Sequence, residues 1–235
     1  MSSIWAAARE GDCARLRALL AEGQDVKAPI DIYFGETPLH FAASSGHADA
    51  VALLLEHGAD VGLRTMGPHA AGWTPLHVAA RASCPRCIAL LVAAGADVNA
   101  KSTSDFTTPL LRVGRGSVPR QRQIACASLL IQAGARVNDA NDRGHTPISD
   151  AVRFGHRELA KLLLRAGAET PSESRLFYDN SANALVKRVK ARGGWNAYAS
   201  NHKRVLVGLV TKCKPHFPDD AAGLVVEFYC PPGGS

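Results

Sequence analysis

A four-residue phrase recurs along this chain. TPLH stands at 37–40 and again at 74–77, and the variants TPLL and TPIS stand at 108–111 and 146–149. Each opens a run rich in alanine and leucine that closes on a glycine: LLLEHGADV, LLVAAGADV, LLIQAGARV and LLLRAGAET. The Thr-to-Gly distance is 21 residues in three of the four units and 26 in the one that begins at Thr108. The segment AAAREGDCARLRALLAEGQDV, ahead of Thr37, supplies a fifth unit without the opening phrase. A fixed period of this kind marks a chain that stacks one supersecondary unit on the next.

The residues explain the phrase. Thr37 suits a helix N-cap and Pro38 the first helical position. Leu39, Ala42 and Ala43 then share one helical face. Gly46 ends that helix, Val51, Leu54 and Leu55 line a second, and Gly58 closes it. Helices this short do not persist alone. Each needs its neighbours to cover its apolar face, so every layer needs the same tight start.

The stretch TPLHFAASSGHADAVALLLEHGADV resembles an ankyrin repeat, and the resemblance covers roughly residues 4–170. It implies an all-α ankyrin solenoid of stacked helix pairs with projecting hairpin loops. The array is expected over 1–170, in units of about 1–31, 32–68, 69–102, 103–140 and 141–170, with a C-terminal helical cap or docking segment over 171–235. In this family the histidine of the motif bonds backbone between repeats, the role the resemblance implies for His40 and His77. It also implies a concave groove built from loop tips and first helices. By register that groove takes Tyr33, Phe34, Glu36, Ser44 and Ser45 from the second unit. Trp73 and Arg81 come from the third. Phe106, Thr107, Arg112 and Arg115 come from the fourth, and Arg143, His145, Arg153 and Phe154 from the fifth. Arginines beside aromatics are favoured anchors at protein interfaces.

The units depart from the pattern in places. Trp5 stands where the first unit would carry its histidine, and Arg9, Glu10, Asp12, Arg15 and Arg17 give that unit the polar side a terminal repeat needs. The link RTMGPHAAGW is about four residues longer than the family loop. The fourth unit is the most irregular. Phe106 replaces the glycine before the motif, Leu111 replaces the histidine and Gly114 the second alanine. Extra residues lie between its helices, inside GRGSVPRQRQ. Insertions of this kind cost little stability, and function often sits in them; tolerated drift explains them equally well.

PSES at 171–174 reads as a linker. ALVKRVKAR after Ser181 reads as a worn sixth unit or a capping helix. Residues 203–214 and a segment opened by Pro218 read as further short helices. The order LVGLVTKC…FPDDAAGLVVEF is faintly similar to the helical box through which some ankyrin proteins recruit ubiquitin ligases.

Composition narrows the function. No apolar stretch approaches the ~20 residues of a membrane span, and the start lacks the pattern of a signal peptide. Six scattered cysteines point to a reducing, cytoplasmic compartment. Lys187-Arg188-Val189-Lys190 adds a short nuclear-import pattern, which reads more simply as the wet face of a helix. The net charge of +6 is concentrated, because 180–218 holds no Asp or Glu. Arg112, Arg115, Arg120 and Arg122 make a second basic cluster, and such clusters favour acidic partners.

Cys84-Pro-Arg-Cys87 has the spacing of a zinc or redox motif, but no further ligands and no βαβ setting accompany it, so small buried residues between layers are the simpler reading. Leu91, Asp97 and Asn99 match the pattern that asparaginyl hydroxylases accept in ankyrin repeats; the ordinary turn consensus has the same residues. Nothing pairs a nucleophile with a base, so no catalytic, cofactor or metal site is expected. The expectation is a monomeric, non-enzymatic scaffold that holds one or more proteins, with acidic segments, in its groove. Two alternatives stay open: a substrate-recruiting adaptor of a ubiquitin ligase acting through the C-terminal segment, and a nucleic-acid-associated protein acting through its basic tail.

Overall fold

A computed structural model describes residues 3–31, 34–67, 71–113, 119–170 and 181–200. Helices pair along the chain: α1 (Ile4–Glu10) with α2 (Cys13–Ala21), α3 (Pro38–Ser45) with α4 (Ala48–Glu56), α5 (Pro75–Arg81) with α6 (Pro85–Ala93), α7 (Pro109–Val113) with α8 (Arg120–Gln132), and α9 (Pro147–Arg153) with α10 (Arg157–Arg165). First helices stack on first helices and second on second. No strand occurs among the described residues.

Two side-chain ladders form the core. First helices contribute Leu39, Ala42 and Ala43, then Leu76, Ala79 and Ala80, then Ile148, Ala151 and Val152, all fully buried. Second helices contribute Val51 and Leu54, Ile88 and Leu91, Ala127 and Leu130, and Ala160 and Leu163, again fully buried. Alanine lets the backbones approach, while one leucine per helix fills the seam.

The motif histidines act as the family resemblance implies. His40 Nδ1 accepts from the Thr37 N–H at 3.2 Å, which leaves Nε2 to donate to the Trp73 carbonyl of the next unit at 3.1 Å. His77 repeats this with Thr74 at 3.1 Å and the Thr107 carbonyl at 2.9 Å. Burial holds both imidazoles neutral, with their pKa values down at about 4. Trp5, at the histidine position of the first unit, makes a different bond, its Nε1 donating to the Ala28 carbonyl of its own unit at 2.9 Å. In the fifth unit Ser149 and Thr146 make a reciprocal capping box instead.

Asparagines tie the loops. Asn99 donates from Nδ2 to the Gly134 carbonyl at 3.1 Å and accepts from the Arg136 N–H at 2.8 Å. Asn138 does the same one unit later, with Gly167 and Glu169. Hairpin tips also pair by backbone: Met66 N–H to the Phe34 carbonyl, Thr103 N–H to Ala71, and Asp142 N–H to Asp105. At Gly72, which has a positive φ of 76°, a Cβ would lie 2.4 Å from the Thr103 backbone nitrogen, so only glycine fits there.

The fourth unit is distorted. α8 has 13 residues against 9 in the other second helices of the array. Part of the insertion is therefore an added N-terminal turn of α8; residues 114–118 lie outside the described residues. α11 (Ser181–Ala191) packs on both α9 and α10, burying Ala182, Leu185, Val186 and Val189. It covers the end of the last pair. A further helical turn follows at 195–200, where Trp195 and Tyr198 rings lie 5.6 Å apart. The linker 171–174 and the helices expected beyond residue 200 lie outside the described residues. Among those described, no helix is long and apolar enough to cross a membrane.

Candidate interaction surface

The residues expected in the groove divide into an exposed group and a buried one. Phe34, Phe106 and Phe154 are the exposed group's aromatics, with fractional exposures of 48%, 54% and 46%. Ser44, Ser45, Arg81, Arg143 and Arg153 are exposed as well. Ser44, Arg81 and Arg153 share one register, each seven residues after its threonine, so they form a row across the first helices. The Arg153 guanidinium lies 5.5 Å from the Phe154 ring centroid. Glu36 is partly covered, and its carboxyl is pushed above the usual range by burial and by Asp31, against the pull of Arg81. His145 is also partly covered, its Nδ1 lying 3.2 Å from Asp150 Oδ1. Tyr33 and Arg115 lie outside the described residues.

The buried group corrects the sequence reading. Trp73 is 4% exposed and Thr107 fully buried, so neither lines an open groove. Both occupy the position just before the motif threonine, which turns inward to receive the preceding histidine. Arg112 is held internally too. One guanidinium nitrogen, Nη2, donates to both carboxylate oxygens of Asp105, at 3.0 and 2.8 Å, and the group stacks 4.1 Å from the Trp73 ring centroid. Arg81 lies 5.3 Å from the centroid of the same ring. Burial works to raise the Asp105 pKa, but hydrogen bonds from Ser102 and Thr107 and the charge of Arg112 outweigh it and bring it to about 2. An arginine beside a tryptophan reads as an anchor in sequence; here the pair joins the third and fourth units.

Two described non-glycine residues have a positive φ, the buried Ser83 at 49° and the exposed Phe106. The φ of Phe106 is 51°, in the left-handed region. The same register position holds Gly35, Gly72 and Gly144 in the sister units, with φ of 65°, 76° and 66°. The hairpin thus keeps its glycine conformation around a bulky aromatic, at a cost of about 1–2 kcal/mol. The missing glycine is the sequence signal for this position, and the register that assigns Phe106 to a loop tip agrees with the exposure of its ring.

Residues 4–102 match the family model for ankyrin repeats in three copies, and residues 143–172 match that for a single ankyrin repeat. The chain belongs to the ankyrin-repeat family. Ankyrin repeats are a protein-interaction architecture, and the unit between those two matches is the distorted fourth. The chain is 40% identical over 132 residues to ankyrin repeat and SOCS box protein 16 of Mus musculus, covering 56% of this chain and 21% of that protein. It is 31% identical over 154 residues to ankyrin repeat, SAM and basic leucine zipper domain-containing protein 1 of Ornithorhynchus anatinus, covering 66% and 24%. A third similarity, 51% over 59 residues, is to probable E3 ubiquitin-protein ligase XBOS33 of Oryza sativa subsp. japonica, covering 25% and 11%. The chain thus spans about a quarter or less of the length of these relatives.

The remaining motifs resolve structurally. Leu91 is buried, Asp97 accepts from the Asn99 N–H at 2.9 Å, and Asn99 makes the loop bonds described above. Cys84 and Cys87 sit at the start of α6, and Cys126 is buried in α8. No group of metal-ligating side chains assembles among the described residues.

Proposed function

We propose that this ankyrin array is a non-enzymatic scaffold whose hairpin tips and first helices hold a segment of a partner protein, with Phe106 as the central anchor. One observation carries the reading: an exposed phenylalanine held at a left-handed φ where its sister units place glycine. A strained residue persists only when its surroundings impose it, and such residues gather at functional sites. Phe34 and Phe154 extend the apolar contact along the array. The exposed Arg81, Arg143 and Arg153 select acidic residues in the partner segment. A reducing, cytoplasmic setting belongs to this reading.

Its test is affinity capture with the full chain and with Phe106→Gly, read by quantitative proteomics. The glycine keeps the hairpin conformation and removes only the ring, so the fold is retained. Proteins held by the wild type should fall on the order of 10-fold, as expected for a hot-spot residue. An unchanged set of retained proteins would sink the assignment.

A second reading is favoured by the similarity to a SOCS box protein and to a probable ubiquitin ligase. It makes the array the substrate-recruiting arm of a ligase adaptor, with docking assigned to residues 201–235. Truncation at residue 200 discriminates: loss of one set of partners with the groove partners retained supports it, and loss of none refutes it.

A further inference from the structure

The start of α6 carries a pair of thiols that the scaffold reading does not use. Cys84 is the N-cap of this nine-residue helix, with φ −101° and ψ 97°, and Cys87 lies one turn on. The extended N-cap backbone folds the Cys84 side chain back over the first turn. Its sulfur accepts from the Cys87 N–H at 3.4 Å. Cys84 is partly exposed and Cys87 fully buried. In its thiol form Cys84 also reaches the Gly46 carbonyl of the preceding unit, at 3.6 Å. Pro85 occupies the first helical position and fixes the turn between the two cysteines. Residues three apart in a helical turn have Cα atoms about 5 Å apart, inside the Cα range of a disulfide, and closing the bond draws their Cβ atoms about 1 Å together.

We infer that Cys84 and Cys87 form a redox modification site, in which a hydroperoxide converts the dithiol to an intramolecular disulfide that thiol reductants reverse. Cys84 is the attacking sulfur and Cys87 the resolving one. The Cys84 sulfur attacks one peroxide oxygen. The O–O bond breaks, the other oxygen leaves as an alcohol or water after taking a proton, and Cys84 becomes a sulfenic acid. The Cys87 sulfur then attacks the Cys84 sulfur. An S–S bond forms, and the hydroxyl leaves with the Cys87 proton as water. Two electrons pass from the dithiol to the peroxide.

The surroundings support these roles. The Cys87 thiol, the Cys87 and Arg86 N–H groups and the charge of Arg122 hold Cys84 below the ordinary thiol range against the opposing effect of burial. Cys87 is raised by its bond to Cys84 and by burial. Cys126, raised to about 12 by burial and by Cys84, is a poor competitor.

The test uses the full chain treated with limiting hydrogen peroxide, then alkylated and mapped by mass spectrometry. Cys84 should react on the order of 10-fold faster than Cys13, as its thiolate fraction requires. The product should be a peptide carrying a Cys84–Cys87 bond that dithiothreitol removes. Cys126→Ser should form the same bond at the same rate. Cys87→Ser should stop at the sulfenic acid, which a dimedone probe captures. Pairing of Cys84 with Cys126, direct advance of wild-type Cys84 to the sulfinic acid, or reaction of Cys84 no faster than Cys13 would each overturn the assignment.

Discussion

Replacing Phe106 measures the strain that the scaffold reading depends on. At φ 51° a residue with a Cβ costs about 1–2 kcal/mol relative to glycine. The side chain is 54% exposed, so about half of the 1.5–3 kcal/mol available from burying a phenylalanine is realised, or about 1 kcal/mol. Phe106→Ala loses that burial and keeps the strain, so it should fall about 1 kcal/mol below the wild type. Phe106→Gly loses the burial but relieves the strain, and returns about 0.5–1 kcal/mol through the greater freedom of glycine in the unfolded chain. It should therefore lie within about 1 kcal/mol of the wild type and about 0.5–1 kcal/mol above the alanine variant. At an ordinary loop position the order is the reverse, with alanine ahead by about 0.4–1 kcal/mol. Urea unfolding followed by far-UV circular dichroism gives the three midpoints at a common slope. An alanine variant as stable as the glycine variant, or more so, would show that the backbone is unstrained and remove the argument for Phe106 as an anchor.

Other outcomes follow from the same geometry. His40 and His77 titrate near 4 when folded and near 6.5 when unfolded, so the unfolded chain binds more protons between those values. Stability should fall as pH drops through about 6.5 toward and below about 4, by up to about 3 kcal/mol per histidine, and His77→Gln should flatten the slope measured by thermal melts across pH. Arg112→Ala should cost about 1–3 kcal/mol in urea unfolding by stranding Asp105, and Arg112→Lys should recover less than half of it, because an ammonium loses the flat stacking of the guanidinium on the Trp73 ring. Asn99→Ala should cost about 1–2 kcal/mol through its two lost loop bonds, read from the same curves. By hydrogen exchange, amides of α9 and α10 should open with a free energy at least about 1 kcal/mol below those of α3 to α6.

The stacking plan was legible in the sequence because each layer solves the same local problem. Thr37-Pro38 starts a helix, Gly46 and Gly58 stop two, and the alanines and leucines between have one face to hide. These are short-range constraints, and a single unit displays them all. The divided fate of the candidate surface was less accessible. Glu36, Trp73, Thr107 and His145 share one register position, and in an idealised repeat they share one environment. Trp73 turns inward because Arg112 of the next unit covers its ring and Asp105 holds Arg112 in place. That arrangement couples residues more than thirty positions apart through side chains, so no periodicity encodes it. The cysteine pair shows the same limit: spacing reveals two thiols one turn apart, but the N-cap backbone of Cys84 is a property of the folded turn.

The departures of the fourth unit act together. In a linear stack each layer is held by its own helices and by its two seams. Toward the third unit this layer is bound firmly: the His77 bond enters it at Thr107, and the Asp105–Arg112 pair closes over Trp73. Toward the fifth unit the motif bond is missing, because the buried Leu111 has no donor to pass on. Contact at the level of the second helices persists, between α8 and α10, on the side away from the hairpin tips. The array is therefore weakest along the first helices just beyond Phe106. A partner segment laid from Phe106 to Phe154 would span that seam. Its binding would supply contact that Leu111 omits, and affinity gained there would appear as added stability of the last unit, in the amount that mass action prescribes.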